Sequence, residues 1–99
     1  MARFDLYRNP GESGLLLDVQ SNLMRDLNTR VVVPLMRRKD APKPAGRLNP
    51  VFEIEGGDFV MVTQFMAAVS VAELGKRMGN LAHEDTAIAN ALDMILSGF

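Results

Sequence analysis

Polarity alternates with a period of two from Arg3 to Tyr7 around Phe4 and Leu6, which predicts a half-buried first strand. Pro10 follows too soon for a helix, and Asn9-Pro10-Gly11 with the polar stretch to Gly14 reads as a hairpin loop. The second strand is expected over Leu15 to Gln20. Its run Leu15-Leu16-Leu17 suits a strand covered on both faces, with polarity rising from Asp18 to Asn22 towards the next loop. Arg30 to Leu35 is the third strand, because Val31-Val32-Val33 is β-branched throughout and Pro34 opposes a helix. From Met36 to Asn49, Arg37-Arg38-Lys39 is followed by Asp40, Pro42, Pro44 and Gly46, a composition that predicts a loop. Val51–Glu55 and Phe59–Phe65 flank Gly56-Gly57, which predicts a hairpin with the glycines at its turn. Ser70-Val71-Ala72-Glu73 has the form of a capping box, stopped within a turn by Gly75.

A single long helix closes the pattern, expected from about Leu81 to Leu96. Ile88, Ala91, Leu92 and Ile95 recur at helical spacing, Met94 and Leu96 widen the stripe, Glu84 and Asp85 favour the N-terminal dipole, and Gly98 supplies a stop. The apolar face of such a terminal helix is covered either by its own chain or by another molecule.

Composition narrows the function. A chain of 99 residues predicts one domain, here 1–99, and no apolar run has the length of a membrane helix. The net charge of −1 gives no bulk positive field for gripping nucleic acid. The absence of cysteine removes disulfides, thiol nucleophiles and thiolate metal sites. Met1 to Tyr7 lacks a signal-like apolar run, so a cytoplasmic protein is expected. Seven methionines and no tryptophan suit adaptable partner-binding surfaces.

Few residues are arranged for catalysis. His83 is the one histidine; adjacent Glu84 and Asp85 point in different directions around a helix and do not converge with it on an ion. Ser13, Ser21, Ser70 and Ser97 have no nearby histidine and no nucleophile-elbow pattern, and Gly56-Gly57 lacks the lysine of a phosphate loop. No catalytic residue, cofactor or metal is therefore expected. Arg37-Arg38-Lys39, with Lys43 and Arg47 nearby, forms the strongest charge cluster, either a solvated loop or a contact for RNA, DNA or an acidic peptide. No aromatic residue interleaves with it to stack on bases.

Taken in order, Phe4-Asp5-Leu6-Tyr7, Leu17-Asp18-Val19-Gln20-Ser21, Arg30-Val31-Val32-Val33-Pro34-Leu35, Leu48-Asn49-Pro50-Val51-Phe52 and Ala91 to Phe99 resemble the CcdB family of bacterial toxins from toxin–antitoxin modules. The resemblance implies a mainly β fold, an SH3-like barrel of the CcdB/Kid/MazF type with a C-terminal α-helix. It further implies a homodimer, neutralisation by a CcdA-like antitoxin, contact with DNA only through the antitoxin complex, and poisoning of the DNA gyrase A subunit without chemistry of its own. The implied target-binding positions are Leu23, Met24, Asp93, Leu96, Ser97, Gly98 and Phe99. Family members typically end in Trp-Gly-Ile where Ser97-Gly98-Phe99 stands here, have asparagine more often at Asp93, and commonly have proline at Ser70. Charge complementarity with an acidic antitoxin segment assigns Arg37, Arg38, Lys39 and Arg47 to antitoxin binding. The competing class is a ribonuclease like the related Kid and MazF toxins, for which Arg30, Asp18 and His83 are the available acid–base candidates. A third is a non-toxic, antitoxin-binding autoregulatory module.

Overall fold

The period-two segments pair into one antiparallel sheet in the computed structural model, which describes residues 1–10 and 13–98. Its strands are β1 (Asp5–Arg8), β2 (Leu15–Asp18), β3 (Thr29–Arg37), β4 (Val51–Ile54), β5 (Gly57–Met61), β6 (Ala67–Ser70) and β7 (Arg77–Asn80), followed by the helix α1 (Asp85–Ser97). The strand order is β4-β5-β3-β2-β1-β7, with β6 pairing separately with β3.

β3 organises this sheet. One edge runs along β2, pairing Leu17 with Val33 and Leu15 with Leu35. The opposite edge is shared: Thr29 to Val32 pair with β6, and Leu35 to Arg37 pair with β5. Pro34 sits where the partners change. Its carbonyl accepts from the Val62 N–H at 3.0 Å, so its nitrogen, which has no hydrogen to donate, faces the same junction and leaves the β2 ladder intact. Splitting one edge between two strands curls the sheet into a half-barrel.

Alternation along the strands sends residues to two faces. Leu6, Leu17, Val19, Val33, Leu35, Phe59 and Met61 meet Ile88, Ala91 and Leu92 of α1 in the main core, while Tyr7, Leu16 and Val32 form a smaller cluster on the other face. The leucine run of β2 is thus inward on both sides, as its composition requires.

Several boundaries depart from the sequence pattern. Phe4 adopts a left-handed φ of 73° and precedes β1, held by its N–H on the Asp18 carbonyl and its own carbonyl on the Leu81 N–H. β2 ends at Asp18, yet Asp18, Val19 and Gln20 remain buried, so the polar stretch beyond Leu17 is interior. β3 continues through Arg37, which is a strand residue and not part of a loop. The hairpin turn is Glu55-Gly56, at φ 51° and 79°, the positive pair of a type I′ turn, and Gly57 opens β5. β5 stops at Met61, and Thr63–Phe65 form a 3₁₀ turn. Ser70 does cap a turn, its hydroxyl accepting from the Ala72 N–H at 3.3 Å. Residues 82–84 form a 3₁₀ turn before α1, because the Asn80 side chain takes the Ala82 N–H at 2.7 Å. β6 and β7 were not legible as strands.

Candidate target- and partner-binding surface

The last turn of α1 extends past the core. Ile88, Ala91 and Leu92 are buried, whereas Ile95 on the same stripe is 37% exposed and Leu96 is 69% exposed. Met94, Asp93 and Ser97 are also exposed. Gly98 ends the helix at φ 80°, its N–H shared between the Asp93 and Met94 carbonyls at 3.1 Å, which is the left-handed stop read from its position. Phe99 lies outside the described residues. The 63–65 turn, which packs against α1, adds the half-exposed Phe65, an apolar surface residue that periodicity did not single out.

Leu23 and Met24 lie on a separate support, the 3₁₀ turn Asn22–Met24, with Leu23 90% exposed and Met24 and Leu27 about as open as Phe65. Side-chain hydrogen bonds hold the backbone of this turn. Ser21 Oγ accepts from the Leu23 N–H at 3.1 Å, and Asn22 Oδ1 accepts from the Arg3 N–H at 2.8 Å. Gln20, buried, donates from Nε2 to the Met24 carbonyl at 2.8 Å and accepts on Oε1 from the Val31 N–H at 3.0 Å. One carboxamide therefore ties the 21–28 loop to β3. The main neighbours of α1 are the turns 46–48, 63–65 and 82–84, so within this chain the helix tip and this loop stand on different supports.

Beneath the loop lies a polar network on the smaller-cluster face. Arg30 Nε donates to Asp18 Oδ2 at 2.7 Å, and both side chains are 0% exposed. Arg30 Nη2 is also 2.7 Å from that oxygen, as an ion pair without hydrogen-bonding direction, and neither Nη atom has a hydrogen-bond partner among the described residues. Burial pushes the Asp18 carboxyl above its ordinary value, outweighing the Gln20 N–H and the Arg30 guanidinium. Asp5 goes the other way: burial raises it, but hydrogen bonds from Asn80, the Ala2 N–H and Arg77 together bring it below the ordinary value. Burial, followed by the charges of Asp5 and Asp18, raises the Tyr7 phenol. Two of the three acid–base candidates thus do meet, but as a sealed ion pair, while His83 sits exposed on the 82–84 turn.

The basic residues divide between two places. Arg37 lies over the Phe59 ring at 5.1 Å, and the exposed Arg38 and Lys39 follow in the turn, Arg38 within 3.9 Å of Asp58. Arg47, on the 3₁₀ turn Gly46–Leu48 packed against α1, donates to the Asn90 carbonyl at 3.4 Å. Buried Asn49 anchors that segment, donating to the Met61 carbonyl at 3.0 Å and accepting from the Ala45 N–H at 3.0 Å.

Among the described residues, no helix is long and apolar enough to cross a membrane, and no group of three His, Cys, Asp or Glu side chains is placed to hold a metal ion. Solved structures share the architecture. An endoribonuclease in complex with its cognate antitoxin, from a mycobacterial species, superposes with a TM-score of 0.77 at 18% identity over 97% of this chain and 94% of that one. The Mycobacterium tuberculosis toxin MazF-mt6 superposes with a TM-score of 0.72 at 16% identity over 92% of this chain and 93% of that one. At such identities the likeness speaks to the fold, which is the SH3-like half-barrel with a C-terminal helix. The family model described as CcdB protein matches residues 3–98, nearly the whole length, and the chain belongs to the CcdB family.

Proposed function

We propose that the protein is the toxin of a type II toxin–antitoxin pair, working in the cytoplasm as a non-enzymatic homodimer that binds the DNA gyrase A subunit and is neutralised by a CcdA-like antitoxin. Membership of the CcdB family and a matched fold solved with its antitoxin support the toxin–antitoxin reading. The observation that carries a binding role is the uncovered last turn of α1, where Met94, Ile95 and Leu96 continue the core stripe beyond the residues able to cover it. A two-fold axis near this tip would cover part of that surface in a second copy and leave the rest, with Leu23 and Met24, for the target. A ribonuclease is the second reading, favoured by the endoribonuclease among the matched folds. Against it stands the burial of Asp18 and Arg30, each committed to the other.

The test runs gyrase trapping on cleaved DNA beside cleavage of an RNA substrate, with wild type, Leu96→Asp, Leu23→Asp and Ser97→Trp, and antitoxin capture as a folding control. Trapping by wild type, weakened by both aspartates while antitoxin is still captured and RNA stays intact, is expected. Ser97 is exposed, so tryptophan should fit there at a stability change within about 0.5 kcal/mol and strengthen trapping. RNA cleavage without trapping would establish the ribonuclease instead.

A further inference from the structure

At one end of the half-barrel the main core opens to the surface. Register places Arg8 opposite Leu15, Leu15 opposite Leu35, and Arg37 opposite Phe59, so all five residues lie on the core face of the sheet. A cleft of about 250 Å³ is left between the β1–β2 and β4–β5 hairpins, with Leu15, Ile54, Phe59 and Met78 below and Arg8 and Arg37 on its rim. Both arginines are exposed, and among the described residues neither is within ion-pair distance of a carboxylate. Arg37 is nevertheless held in place, its guanidinium against the Phe59 ring. A second hollow, lined by Arg37, Arg38, Lys39, Gly56 and Asp58, shares the Arg37 wall and extends the basic track.

We propose that this cleft is a subsite for an acidic partner peptide, with Arg8 and Arg37 gripping a carboxylate side chain while a neighbouring apolar side chain enters above Phe59. The assignment rests on the antitoxin reading and adds to it a defined pocket and a residue, Arg8, outside the basic cluster. An arginine fork matches a carboxylate, and the apolar floor gives that charge a partly dry setting. Glu55, also lining the cleft, can accept hydrogen bonds from peptide N–H groups, donors that a sugar–phosphate backbone lacks, which favours peptide over nucleic acid. Gly57 keeps the space open: a Cβ there would stand 3.5 Å from both Arg37 Nη1 and the Phe59 ring, so a larger side chain would project into the cleft.

The ¹⁵N-labelled protein is titrated with the capped peptide Gly-Leu-Glu-Glu-Leu-Gly, its glutamine counterpart, and oligouridylate. Saturable shifts of the Arg8 and Arg37 Nε–H signals and the Gly57 amide are expected with the glutamate peptide, with affinity about tenfold lower for the glutamine form, for Arg8→Glu and for Arg37→Glu. Gly57→Leu should block binding; its spectral dispersion and urea midpoint show whether it folds, and the two arginine variants carry the test if it does not. Shifts confined to other residues, no saturable binding, or oligouridylate binding as tightly at the same signals would overturn the assignment. Capture of a co-expressed CcdA-like antitoxin separates the two ideas. Equal capture by wild type and all variants would leave the antitoxin reading standing and overturn the subsite, whereas peptide in the cleft with no antitoxin captured by wild type would do the reverse.

Discussion

Replacing Asp18 by leucine should be among the most damaging single changes in this protein. Both members of the Asp18–Arg30 pair are wholly buried, and Asp18 is the only carboxylate within ion-pair distance of Arg30 among the described residues. The orphaned guanidinium cannot shed its proton, so a stranded charge in that setting costs about 3–5 kcal/mol, a large part of the roughly 5–15 kcal/mol typical of a domain this size. Arg30→Met leaves a carboxyl that can neutralise itself, since burial already raises its pKa, and should cost less, about 1–3 kcal/mol. That residual penalty has a sign: a carboxyl raised in the folded state contributes stability that is fully present below its unfolded pKa and is lost as pH rises through the folded one. Arg30→Met should therefore gain on wild type under acid conditions, and Asp18→Leu should not. The double replacement removes both charges together with the two Nη atoms that lack hydrogen-bond partners among the described residues, and should recover most of the Asp18→Leu loss, short of the about 1–3 kcal/mol that the Gln20 N–H costs on losing its Asp18 acceptor. Urea titrations at fixed protomer concentration complete the cycle. Additive single effects, or an Asp18→Leu variant as stable as wild type, would refute the sealed-pair account.

Gln20→Ala strips partners from the Met24 carbonyl and the Val31 N–H, and should loosen the 21–28 loop at a cost of about 1–3 kcal/mol, read as faster hydrogen exchange confined to that loop and weaker target trapping with antitoxin capture unchanged. Asp5, whose pKa is lowered by its hydrogen bonds despite burial, contributes stability that is lost as pH falls through its folded pKa; Asp5→Asn should flatten that acid limb of urea midpoint against pH. Gly14→Ala should destabilise by about 1–3 kcal/mol in thermal melts, because φ is 122° there and a Cβ would lie 2.7 Å from the Leu35 carbonyl oxygen.

The strands with strong local patterns were legible, and the elements made by long-range pairing were not. Val31-Val32-Val33 and the glycine-marked hairpin declare themselves, although the left-handed turn pair is Glu55 and Gly56 rather than Gly56 and Gly57. β6, Ala-Ala-Val-Ser, and β7, Arg-Met-Gly-Asn, carry no alternation, and become strands because β3 and β1 offer them unpaired edges. The helix start shifted because Leu81 and Ala82 were taken up by contacts with Phe4 and Asn80. At the candidate site, helical spacing picked out the apolar stripe of α1 and the resemblance named Leu23 and Met24, but neither pointed to the Gln20 anchor or to Asp18 and Arg30 as a buried pair. Their signal was present in phase: Asp18 and Gln20 fall on the Leu16 face of β2, and Arg30 on the Val32 face of β3. Charged residues at inward positions of two strands point to a pair only once the register is known.

Pro34 has a consequence for how faithfully the chain finds that register. If β3 slid by one residue against β2, each β3 side chain would change face and the proline nitrogen would turn towards β2, where the ladder then needs a donor. The same slip would drive Arg30 into the apolar interior under α1, away from Asp18. Misalignment is thus punished twice, and a single imide ring acts as a proofreading device, rejecting the nearest wrong pairing while the sheet is being assembled.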